Sequence, residues 1–160
     1  MAATPDLLAA LDPLVGIWRT SGAVLDEAGN PVMGISGTDE YEWMPGNAWL
    51  IHRVDVIIGS DRTRAWEFVG DYDQERGCLI ARAFDSSGAF DTMTVELFPD
   101  GAWRLTGEGI RSTLWPAADR SGMTAKWERA LDDGTWIAWM DMSFEPGAHS
   151  SGFRSRPDPK

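Results

Sequence analysis

The sequence predicts an all-β protein, an antiparallel up-and-down β-barrel of nine to ten strands with a short N-terminal helix closing one end. Three observations predict it. Turn-forming clusters recur at short, even spacing: "DEAGNP" (26–31), "PGN" (45–47), "GSD" (59–61), "DQERG" (73–77), "DSSG" (85–88), "PDG" (99–101), "ADRSG" (118–122) and "DDG" (132–134). Each places Gly, Asn, Asp or Pro where a hairpin turn needs it. The runs between them are rich in Trp, Phe, Val, Ile and Thr, and many alternate apolar with polar residues. Only one segment reads as helix. Many short strands at even spacing are the signature of a sandwich or barrel.

Residues 5–11, "PDLLAAL", form the helix candidate, with Pro5 in the first turn and Thr4 as N-cap. So short a helix must dock on something. The strands follow at 15–24, 33–44, 48–58, 62–72, 78–84, 90–97, 102–114 (with a candidate break at Gly107–Gly109), 122–131 and 135–144. In the first, Gly16 is expected to let another segment approach and Trp18 to plug the barrel base beneath the helix. In the second, Tyr41 and Trp43 oppose Glu40, Glu42 and Met44, the behaviour of a half-buried strand. In the third, His52 shares a face with Val54 and Val56 and so points inward, while Arg53 and Asp55 are solvated or salt-bridged. Trp66 and Phe68 share a face of the fourth, which leaves Glu67 on the opposite, exposed side. In the last, Trp136, Ala138, Met140, Met142 and Phe144 form an apolar face. Ile137, Trp139, Asp141 and Ser143 form a half-apolar one, so the helix, the tail or a second subunit must cover it. The barrel domain spans 1–146, and 147–160 is a flexible polar tail.

At 160 residues the chain is one domain with a sizeable core. A net charge of −11 repels phosphate backbones and anionic membranes, which argues against nucleic-acid and membrane partners. A single cysteine, Cys78, excludes an internal disulfide, and the N-terminus has no basic and apolar leader pattern. A cytoplasmic location is therefore expected. Nine tryptophans exceed what a plain core of this size needs, so some are expected to line a cavity or interface.

The motifs that carry chemistry elsewhere are missing or broken. "DYDQERG" (71–77) places acids like a calcium loop but has Arg76 where glycine belongs and Arg82 where a bidentate Glu belongs. Two histidines and one cysteine, far apart, give no zinc spacing. There is no nucleophile elbow, phosphate loop or dinucleotide fingerprint.

The helix followed by Gly16-Ile17-Trp18 resembles the Gly-x-Trp signature of the calycin superfamily, the lipocalins and fatty-acid-binding proteins. Together, "LVGIWRTSG", "GTDEYEWMPGNAWLIHRVD", "FDSSGAF" and "AKWERALDDGTWIAWMDMSF" resemble an uncharacterised bacterial family of lipocalin-like barrels, over about residues 14–144. That resemblance implies the barrel and a Trp18 packed against a late-strand cation, for which Arg129 is the candidate. It implies no reaction. The related nitrobindin-like barrels hold haem through a histidine near the chain end, where this chain has only His149.

The first functional expectation is a binding module, its cavity enclosing one small, mostly apolar or aromatic molecule. Its lining candidates are His52, Trp66, Phe68, Phe84, Trp103, Trp127 and Trp139. The second is an isomerase, cyclase or hydrolase acting on an apolar metabolite, with His52 or Asp141 as base. Haem binding is a further alternative, and otherwise no cofactor is expected. A homodimer through the last strand is the structural alternative.

Overall fold

A computed structural model describes residues 4–147 of the chain. Ten strands form a closed barrel: β1 (Gly16–Leu25), β2 (Pro31–Trp43), β3 (Leu50–Ile58), β4 (Asp61–Asp73), β5 (Cys78–Asp85), β6 (Phe90–Leu97), β7 (Trp103–Thr106), β8 (Ile110–Pro116), β9 (Met123–Ala130) and β10 (Trp136–Pro146). Each strand pairs antiparallel with its sequence neighbours, and β1 pairs with β10 from Trp18 opposite Pro146 to Val24 opposite Met140. The segment 102–114 does break, because Gly107 N–H returns to Ile110 O and closes a tight turn between β7 and β8. Closure removes both sheet edges, so the ladder satisfies the backbone all round.

At the N-terminus the helix is shorter than its pattern. α1 covers Thr4–Ala9, and a 3-10 turn follows at Asp12–Leu14. Pro13 accounts for the change: it has no N–H to give and pushes the residue before it out of α geometry. The turn drives Leu11 and Leu14 into one end of the barrel, where both are buried against Trp18 and Trp43.

Trp18 is the plug that the first strand led us to expect, 3% exposed, with its indole N–H donating to Leu14 O at 2.8 Å. Burying an indole contributes on the order of 5 kcal/mol gross. Gly16 does not admit a neighbour: a Cβ there would meet only Trp18 at 3.8 Å. Its φ of +147° is what favours glycine. Arg129 is not the cation at this end. It lies near the far end of β9, 3.9 Å from Glu27 in the β1–β2 turn. The capped end is tied instead through Asp12, which accepts from Trp43 Nε1 and from Arg120 Nη2, each at 3.0 Å.

The two-sided apolarity of the last strand has a local cause. The register slips between Ala138 and Met140, leaving Trp139 as an extra residue. A bulge reverses which residues face inward. Trp136 therefore lies outside, under the Arg111 guanidinium at 4.2 Å, while Met140, Met142 and Phe144 turn to the interior. The polar tail expected after Pro146 lies, from residue 148 onward, outside the described residues, as does His149. Among the described residues no helix is long and apolar enough to cross a membrane.

Candidate functional site

The barrel encloses a cavity of about 170 Å³. Its β2–β4 wall carries Asp39, Tyr41, His52, Thr63 and Glu67 among aliphatic side chains. The facing wall, from β7 to β10, is apolar except for Ser112, and Trp127, Phe144 and two methionines supply most of its bulk. A second void, of about 30 Å³, lies toward the capped end between Leu11, Leu14 and Trp103. Tyr41 and Glu67 line both spaces, so they form part of the partition between them.

Strand register brings the polar groups together. Tyr41 on β2 lies directly opposite His52 on β3, and His52 lies opposite Glu67 on β4. Directly opposed side chains lie on one face within contact distance. Asp39, two residues before Tyr41, shares that face by strand parity. The Tyr41 and His52 rings stack, with centroids 4.0 Å apart and planes 6° from parallel. His52 Nε2 lies 2.7 Å from Asp39 Oδ1, and Nδ1 lies 3.4 Å from Glu67 Oε1. The second Asp39 oxygen accepts from the Thr20 hydroxyl on β1. Thr20 and Asp39 are 1% and 3% exposed, so this is an interior network.

Its electrostatics follow from two opposed effects. Burial pushes the His52 pKa down, but the hydrogen bonds and charges of Asp39 and Glu67 outweigh it and raise the value from 6.5 to about 9. At neutral pH His52 is an imidazolium with both N–H groups directed at carboxylates. Burial, Asp39 and Glu67 all raise the Tyr41 pKa well above its ordinary value, so the phenol stays neutral.

Of the residues expected to line the cavity, His52 and Trp127 do so. Trp139 meets Trp127 edge-on, with ring centroids 6.3 Å apart. Trp103 is buried at the capped end, against the smaller void. Trp66, Phe68 and Phe84 are absent from the lining and cluster on the outer face: Trp66 is 48% and Phe84 46% exposed, with Phe68 between them. Glu67, expected outside, is the inward residue of that stretch. The parity is reversed because the imidazolium holds a carboxylate inside, where an apolar ring was expected. Asp141 is exposed on the outer face, in register with Lys126, and does not reach the cavity.

Sequence reasoning missed Thr20, Asp39, Tyr41, Glu67 and Ser112. Only the turn between β2 and β3 carried a usable signal. Counting back from "PGN" sets Tyr41 opposite His52. No family model and no curated protein matches this chain, so its own geometry carries the functional reading.

Proposed function

We propose that the protein binds one small, mostly apolar ligand inside the barrel, with the Tyr41–His52–Glu67 row orienting it. The observation that carries this is a cavity with one hydrogen-bonding wall and one apolar wall, the combination that small-molecule sites use. The volume limits the ligand. A cavity of roughly 150 Å³ holds a benzene-sized molecule, so about 170 Å³ suits a single ring with a short substituent. The ten-strand closure with Trp18 at the capped end supports grouping the chain with the lipocalin-like barrels. The buried free thiol of Cys78 suits a reducing compartment such as the cytoplasm.

Two alternatives gain less support. A proton-transfer enzyme with His52 or Asp141 as base is not favoured: His52 has both nitrogens committed and keeps its proton at neutral pH, and Asp141 lies off the cavity. Haem does not fit: His52 offers no free nitrogen to an iron, and the space is far smaller than a porphyrin. Among the described residues no group of three His, Cys, Asp or Glu side chains has metal-binding geometry.

Native mass spectrometry of protein purified from cells tests the reading, combined with ligand-observed NMR against a size series. One-ring aromatics are expected to bind and long-chain fatty acids to fail. Filling the space with Ala125→Phe should abolish the signal. Equal binding to wild type and A125F would place the ligand elsewhere.

A further inference from the structure

We propose that the cavity takes a small organic monocation, a one-ring apolar body bearing a protonated amine. The proposal rests on the reading of this cavity as a ligand site. Charge is the first argument. The lining holds two carboxylates, Asp39 and Glu67, one imidazole, and no Lys or Arg. The two carboxylates share that single imidazole, so the lining is one cationic partner short. An interior charge without a partner is costly, and a monocation supplies that partner.

Hydrogen bonding locates where it would go. Both Asp39 oxygens have partners, one in His52 and the other in Thr20. Glu67 is not: one oxygen makes a long 3.4 Å contact to His52, and the other has no hydrogen-bond partner among the described residues. Two further polar groups wait on the same space. Tyr41 and Ser112 are 7% and 3% exposed and line the cavity, yet neither hydroxyl has a hydrogen-bond partner among the described residues. An ammonium has three donors and no acceptor, which matches a lining that offers a free carboxylate oxygen and hydroxyl oxygens. The aromatic side chains of Tyr41, Trp127 and Phe144 in the lining complete a site for a cation with an apolar body. A carboxylate-headed ligand would meet Asp39 and Glu67, and the one lining cation, the His52 imidazolium, already has both nitrogens directed at them.

Three probes of nearly equal shape separate charge from size: benzylammonium, benzyl alcohol and benzoate, titrated into the full chain at neutral pH by calorimetry. Benzylammonium is expected to bind about tenfold or more tighter than benzyl alcohol, the worth of a charge-assisted hydrogen bond, and benzoate to give no binding. Glu67→Gln should weaken the cation about tenfold more than it weakens the alcohol, with circular dichroism confirming the fold. If that variant does not fold, the wild-type panel decides alone. Benzoate binding as well as the cation, alcohol and cation binding equally, or a folded E67Q with undiminished cation affinity would each overturn the proposal and leave the cavity reading standing. Failure of all three probes would overturn both.

Discussion

Raising the pH from 6.5 to about 9 is expected to remove on the order of 3 kcal/mol of folding stability through His52 alone. The folded pKa of this group lies above its unfolded value, so across that window the folded chain holds a proton that the unfolded chain has released. Stability therefore falls with pH, by about 1.4 kcal/mol per unit at the steepest. Below pH 6.5 both states are protonated and the full contribution is present. Burial of the imidazolium opposes the shift, and the 2.7 Å contact to Asp39 with the longer one to Glu67 must outweigh it. Urea midpoints measured across this range, wild type minus His52→Gln, isolate the contribution from the titration of the rest of the chain. An NMR titration of the His52 ring gives the folded value directly, with His149 as the second histidine signal. A His52 value at or below 6.5, or a difference curve flat between pH 6.5 and 9, would show that burial wins and refute the reasoning.

Three other outcomes are expected. Asp39→Asn leaves the imidazolium and the Thr20 hydroxyl poorly paired, should cost about 3 kcal/mol in urea denaturation, and should lower the His52 pKa in the same NMR experiment. Gly37→Ala puts a Cβ 2.2 Å from Asp55 O and 2.6 Å from Val56 Cα, so β2 and β3 must part. Its melting temperature should drop by the equivalent of about 2 kcal/mol, and an unchanged one would mean that the strands are less closely apposed than described. Trp66→Ala removes a half-exposed outer ring and the Arg53 guanidinium stacked on it at 4.7 Å. The loss should stay within about 1 kcal/mol, and one-ring binding measured by NMR should be unaltered.

Strand number, hairpin turns and the Trp18 plug were legible because each depends on local chemistry: turn residues, alternation, and an apolar ring beside a docking helix. The cavity face was not, and β4 shows why. Alternation in "AWEFV" separates two faces but does not label them, and the larger rings favour the wrong label. The label comes from His52 across the ladder, which needs a carboxylate beside it. Buried charge is set by partners that are distant in sequence: Thr20, Asp39, His52 and Glu67 span four strands. In the last strand one inserted residue, Trp139, changed which side chains face inward, and nothing in the local pattern marks a bulge there.

The β1–β10 seam also bears on how the chain reaches this state. Arg19 and Glu145 meet across it although they stand 126 positions apart. Every other ladder joins sequence neighbours and can form as soon as its hairpin exists. Closure, like the β9–β10 hairpin, must wait for the last strand to leave the ribosome, and it alone joins the two ends of the sheet. Until then β1 and β9 are open edges, the kind of template onto which another chain can add. The step that gathers the most distant residues is the slow one in such topologies. A chain ending before Trp136 is accordingly expected to associate, a state that light scattering would detect, and a monodisperse monomer would show that the seam is dispensable.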